Sequence, residues 1–297
     1  MHLTHTCFQA MGTACELMLY ADDQGAAKAV MADVQRLEAK YSRYRDDSYL
    51  SRINREAERG GGLDVDDETA HLLDYAATCH VQSDGLFDIS SGLLRRAWNF
   101  HEPRLPDPAQ LGELLGRVGW QRLQWQAPRL NFPQAGMELD LGGVVKEYAA
   151  DRAATLCRER GVEHGLVNLG GDIHVIGPHP DGSPWRVGIK DPRDPEQVLF
   201  TLNLYHGALA SSGDYARCFT LEGRRYGHIL NPRTGWPVQG LAAVSVLADY
   251  CVVAGSAATI GMLHEEEGKA WLWGLGLPHL WVDVSGRTGG SLIDEVR

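Results

Sequence analysis

Between His164 and Asp214 the chain shows no helical periodicity, and this run constrains the fold more than any other feature. "HGLVNLGGDIHVIGP" reads as two short strands around a Gly-Gly turn. "WRVGIKDP" and "QVLFTLNLYHGALASSGD" continue the alternation of apolar and polar residues. A doubly wound parallel sheet needs a helical crossover between successive strands, and this stretch has none. The predicted class is therefore α+β, with mixed sheets and packed helices.

The flanking segments supply the helices. Ala26, Val30, Val34 and Leu37 recur at helical spacing and predict a helix ending near Lys40. "VDDETAHLLDYAATCHVQSDG" predicts a second, capped by Asp66 or Asp67 and ended at Asp84-Gly85. "GVVKEYAADRAATLCRERG" predicts a third, ended by Gly161, and "AAVSVLADYCVVAGSAATIGMLHEEEG" passes from strand into helix. The opening twenty residues predict two strands around "QAMGT". Short strands are expected at 123–126 and 137–139, and a final one near 280–284.

Charge narrows the partners. Against 28 Lys and Arg stand 39 Asp and Glu, a net of −11, which disfavours bare nucleic acid and anionic membranes. Six cysteines without CxxC spacing read as mostly buried thiols rather than a zinc site. No apolar run approaches the ~18 residues of a membrane span, so no integral membrane segment is expected. The first residues lack a basic stretch followed by a continuous apolar one. A cytoplasmic location is expected for the chain as given, and an exported or membrane-associated one if a leader was removed.

Two glycine-rich segments and one polar cluster carry candidate chemistry. In "LDLGGVVKEYAADRA", Asp140 follows a short apolar stretch, Gly142 and Gly143 permit close backbone approach, and a helix starts almost at once. Free amides at such a helix start receive anions, and Lys146 adds positive charge. The same spacing equally suits a plain strand–helix junction with a capping Asp and a solvated Lys. "VNLGGDIHVIG" reads first as a tight turn, and second as backbone close to a ligand with Asp172 beside it. In "LASSGDYARCFTLEGRRYGHILNPRTGWPV", Ser211, Ser212 and Gly213 offer donors for phosphate oxygens. His228, Arg233 and Thr234 follow around a Pro-Gly turn. Together these segments fit a diphosphate-bearing ligand. GxGxxG, GxxxxGK[ST] and GxSxG are all absent from the sequence.

Taken in order, these pieces resemble the ApbE-like FAD:protein FMN transferases. The matching stretches are "MGT" from Met11, "YSRYRDDSYLSRIN" from Tyr41, "GLFDIS" from Gly85 and "LDLGGVVKEYAADRA" from Leu139. They continue with "LVNLGGDI" from Leu166, "WRVGIKDP" from Trp185, "LASSGDYAR" from Leu209 and "YGHILNPRTGWPV" from Tyr226. The resemblance implies an ApbE-like fold with residues 1–297 as a single domain, in one arrangement two lobes around a central FAD cleft. It implies Mg²⁺-assisted cleavage of FAD, release of AMP, and attachment of FMN to a Thr or Ser of an acceptor bearing a Ser/Thr-Gly-Ala-Thr-like motif. It assigns FAD contacts to Met11, Tyr44, Phe87, Asp88, Asp140, Lys146, Ser212, Gly213, His228 and Thr234. Asp140, Asp214 and His228 are the implied catalytic candidates, and Val145 (through its backbone oxygen) and Thr259 the implied metal ligands. A non-catalytic FAD-binding protein and an FAD pyrophosphatase of the same fold are the alternatives.

The chain departs from the family pattern at the metal. Where the family's "DAxxTA" has Asp, this chain has Gly255 in "GSAATI", which removes a hard anionic ligand. Asp249 lies six residues upstream as one substitute. Glu147, where the family has Gly, is another, and with Gly255 it would form a compensating pair. On the missing ligand alone, Gly255→Asp is expected to raise metal-dependent activity.

Overall fold

The computed structural model describes residues 2–21, 24–215 and 217–294. Strands β1 (His2–Ala10) and β2 (Thr13–Ala21) form a hairpin whose turn is Met11-Gly12. Helix α1 (Gly25–Tyr41) buries Val30, Val34 and Leu37, the periodic positions of its sequence. Helix α2 (Tyr49–Arg59) is capped by Ser48 and stopped by a left-handed Gly60. After β3 (Gly62–Asp64), Asp66 accepts the Thr69 amide and caps helix α3 (Asp67–Gln82). A 3-10 turn (Ile89–Arg96), helix α4 (Pro108–Leu115) and strands β4 (Gln124–Gln126) and β5 (Arg129–Asn131) lead to α5 (Val145–Glu159).

The strand-rich half begins with β6 (Gly165–Leu169) and β7 (Asp172–Gly177), then β8 (Trp185–Asp191), β9 (Asp194–Leu204) and β10 (Gly207–Gly213). A small hairpin follows, β11 (Cys218–Leu221) and β12 (Arg224–Gly227). The chain continues through β13 (Leu241–Ala248), α6 (Cys251–Leu263), α7 (Gly268–Leu275), β14 (His279–Asp283), β15 (Thr288–Gly289) and α8 (Ser291–Asp294).

Eight strands form one sheet in the order β1-β2-β6-β7-β10-β13-β14-β15, every neighbouring pair antiparallel. Side chains alternate across it. Leu17, Leu19, Val167, Ala210 and Val244 meet α1, α3, α5 and α6 in the main core. From the opposite face, Leu166, Ile173, Val175 and Leu209 meet the β8–β9 hairpin through Trp185, Val187 and Ile189. The α+β fold of several sheets and packed helices is as expected.

One expected strand is missing. Residues 137–139 are not a strand; Met137, Glu138 and Leu139 are buried in an extended connection, and Leu130 of β5 supplies the strand instead. An apolar triplet suits either, and Asn54 decides it by bonding both the Leu139 amide and its carbonyl, as a strand neighbour would. Four of the six cysteines are buried, Cys15, Cys79, Cys157 and Cys251, while Cys7 is exposed. No helix among the described residues is long and apolar enough to cross a membrane.

Candidate functional site

The site grows around the start of α5. Asp140 ends the incoming connection, where its amide donates to the Ile89 carbonyl at 2.7 Å. Its Oδ1 accepts the Gly142 amide at 2.9 Å and its Oδ2 pairs with Arg43. Gly142 and Gly143 are exposed, and a Cβ at Gly143 would stand 3.5 Å from the Phe87 ring. Neither has a left-handed backbone. Arg43 also donates to Tyr44 Oη at 2.8 Å and lies over the Tyr44 ring. His228, just after β12, lies within the field of Arg43 and Arg217. Burial and these cations hold its imidazole below the usual histidine range, hence neutral at pH 7, and its buried Nδ1 has no hydrogen-bond partner.

Lys146, in the first turn of α5, reaches down to Asp172 at the head of β7, Nζ to Oδ2 2.5 Å. Burial disfavours its charge, but Asp172 and Glu147 outweigh that and raise its pKa, so the ammonium persists. Asp172 is buried and its pKa is raised by that burial, with Lys146 opposing. Across the sheet, Thr259 of α6 donates to Ser212 Oγ of β10 at 3.3 Å. Tyr215, stacked where a Cβ of Gly213 would lie, is also within the field of Lys146. The Met11–Thr13 turn is close as well. Gly170 has φ +65°, and a Cβ there would meet Thr13 Oγ1 at 2.3 Å, so only glycine lets the two turns touch.

Helices α5 and α6 meet through one four-residue register. Asp151 of α5 accepts the amides of Cys251 and Val252 at 2.6 and 2.9 Å and thus caps α6. His174 Nδ1 holds the same carboxylate at 2.7 Å. One turn back on α5 is Glu147, and one turn on along α6 is Gly255. A Cβ built on Gly255 would lie 2.5 Å from Glu147 Cγ and 3.1 Å from its Oε1. Glu147 is only 7% exposed, and its Oε2 has no hydrogen-bond partner. Burial first, then the nearby Asp172 charge, raise its pKa to about 7. The glutamate therefore points inward, into the volume that a side chain at 255 would take. A divalent cation fits this donor set, because Lys146 pairs with Asp172 and a buried Glu147 oxygen is left without a hydrogen-bond donor. Asp249, by contrast, is exposed next to Gly207, at the end of β10 opposite Ser212. It is not a substitute ligand.

The remaining candidates lie around these groups with their own bonds. The Met11 amide donates to Glu38 Oε1 at 2.6 Å, and Tyr44 is 77% exposed. Phe87 is buried, its amide held by Ser83 Oγ. Asp88 accepts from the Ser90 amide and hydroxyl and from the Trp120 amide, so its carboxylate shapes the local chain. Asp214 is buried, pairs with Arg225 at 2.9 Å, and is pushed up by burial against that arginine. Thr234 accepts the Trp236 amide at 3.2 Å inside the Asn231–Gly235 turn. A cleft of about 450 Å³ runs between this turn and the 84–88 segment, lined by His80, Asp88, Gly119 and Arg233. Val145 is the buried first residue of α5.

Sequence reasoning missed Arg43 and Asp151. Arg43 stood inside the Tyr41–Asn54 motif, and its positive charge near the expected diphosphate site was a usable signal. Asp151 lies one helical turn from Glu147, but its role as cap of a helix one hundred residues later has no local signature.

Comparison with known proteins identifies the family. A model of the "ApbE family" matches residues 11–279. An FAD:protein FMN transferase of Klebsiella pneumoniae is 32% identical over 244 residues, covering 80% of this chain and 75% of that protein. One from Treponema pallidum is 29% identical, covering 97% and 87%. Among solved structures, the ApbE protein of Thermotoga maritima superposes with TM-score 0.90 at 29% identity, covering 99% of each chain. The flavinyl transferase ApbE of Pseudomonas stutzeri gives 0.88 at 27%, covering 99% and 96%. The chain belongs to the ApbE family.

Proposed function

We propose that this protein transfers the FMN half of FAD to a Thr or Ser hydroxyl of an acceptor protein and releases AMP. Its relatives carry the name FAD:protein FMN transferase. What supports the reading is a set of polar pairs on the elements around α5: Lys146 with Asp172, Asp140 with Arg43, His228 in the field of Arg43, and Thr259 of α6 with Ser212 of β10.

In this reading Met11, Tyr44 and Phe87 offer apolar and aromatic surface to the flat rings of FAD. The Gly142-Gly143 turn, the α5 start and Lys146 face the diphosphate, with Ser212 and Gly213 opposite. Asp88 and Thr234 hold the segments that border the cleft. The acceptor oxygen attacks the phosphorus on the FMN side. A new phosphoester bond forms, the bond to the bridging oxygen breaks, and AMP leaves with that oxygen. The acceptor proton must go to a base. Asp140 and Asp214 have their carboxylates engaged by Arg43 and Arg225. His228 is neutral with an unpartnered nitrogen, so it takes the proton. A divalent cation held by the Val145 carbonyl, Thr259 and a carboxylate would offset diphosphate charge and ease departure of AMP.

The test is to incubate the protein with FAD, Mg²⁺ and a peptide bearing a Ser/Thr-Gly-Ala-Thr motif. A peptide mass increased by one FMN supports transfer. AMP and free FMN with an unmodified peptide would instead mean a pyrophosphatase, and no flavin bound or consumed would reject both.

A further inference from the structure

We propose that Glu147 is the anionic ligand of the divalent cation in this chain, delivered from α5 into the space that Gly255 leaves open on α6. The inference rests on the metal-assisted reading above. Three features of the site point the same way.

First, the volume is exchanged. Glu147 Cγ and Oε1 lie 2.5 and 3.1 Å from where a Cβ of residue 255 would be, so one side chain at a time can fill that space. Second, two buried carboxylates, Glu147 and Asp172, share one ammonium. Lys146 is committed to Asp172 at 2.5 Å, and Asp151 has two amides and His174. Glu147 is left buried with an oxygen that no donor reaches. Third, the same two helices carry hard oxygens close in sequence to this pair. Thr259 sits one turn beyond Gly255 on α6, and Val145 is two residues before Glu147. Carboxylate, hydroxyl and carbonyl suit Mg²⁺ or Mn²⁺ rather than a soft metal. The carboxylate has moved from one helix to its neighbour while pointing at the same place, and Gly255 is required by that move.

The test uses the full chain, freed of metal with a chelator and titrated with Mn²⁺ alone. Free Mn²⁺ is followed by electron paramagnetic resonance. The wild type is expected to bind one Mn²⁺, displaced by Mg²⁺. Glu147→Gln keeps size and fold, checked by circular dichroism, and is expected to weaken Mn²⁺ at least about tenfold. The exchange variant, Glu147→Gly with Gly255→Asp, is expected to regain binding lost in Glu147→Gly alone. Unchanged Mn²⁺ affinity in Glu147→Gln, or no Mn²⁺ bound by the wild type, overturns the inference. FMN transfer to the peptide is measured separately on the same proteins. Transfer with Mn²⁺ binding indifferent to Glu147 would sink the ligand and leave the function standing. Glu147-dependent Mn²⁺ binding without any transfer by the wild type would do the reverse.

Discussion

Gly255→Ala isolates the contact between α5 and α6 from any question of metal or substrate. Inside a helix, alanine is normally about 1 kcal/mol better than glycine. Here the added methyl would stand 2.5 Å from Glu147 Cγ. That atom lies mid-chain, so the glutamate must swing as a whole within a buried site. Overpacking of this kind costs about 1–3 kcal/mol. The two effects leave a net loss of about 1 kcal/mol. In a Glu147→Ala background the obstacle is gone and the same change should stabilise by about 1 kcal/mol. Urea unfolding of the four proteins in the cycle measures a coupling of about 2 kcal/mol. If Gly255→Ala stabilises equally in both backgrounds, the two residues do not share one volume. The same geometry reverses the expectation that Gly255→Asp alone would raise activity. Placed beside Glu147, a second carboxylate has neither room nor a free cation, so that single variant should lose stability and metal affinity together.

Other perturbations probe separate parts of the account. Lys146→Met strands the buried Asp172 carboxylate and should cost about 3 kcal/mol in urea unfolding, while weakening FAD binding by fluorescence titration. Asp151→Ala removes the cap of α6 and the partner of His174, and should cost about 2 kcal/mol in the same assay. Glu68, hydrogen-bonded by Arg36 and also by Lys40, has its pKa pulled down to about 2. An unfolded glutamate titrates near ~4.3, so this stabilisation is present above that pH and is lost as the pH falls toward the folded value. Glu68→Gln should flatten the acid limb of the wild-type stability curve in that window, and a curve of unchanged slope would refute the assignment.

Much of this architecture was written in local patterns. Val30, Val34 and Leu37 announced α1, the Asp66-Asp67 pair announced the start of α3, and the alternation through 164–213 announced strands of two sheets. The Asp140-Gly142-Gly143 motif marked the mouth of α5, where Asp140 accepts the Gly142 amide. What stayed hidden depends on tertiary pairing. Residues 137–139 are apolar enough for a strand, but Asn54 fills the place of the neighbouring strand. Lys146 read as a free cation, yet its partner Asp172 belongs to a strand whose approach no local pattern specifies. The direction of Glu147 was open in the sequence, since an acidic residue in a first helical turn suits solvent equally well. Only the packing of α6 against α5, fixed by Asp151, turns it inward.

The most direct test of the central claim is mass spectrometry of an acceptor peptide after incubation with FAD and Mg²⁺, with AMP counted in the same reaction. The account predicts a gain of one FMN per peptide and one AMP for each gain, abolished when the acceptor hydroxyl is replaced by a methyl group. A peptide that never changes mass while the protein binds FAD would contradict it.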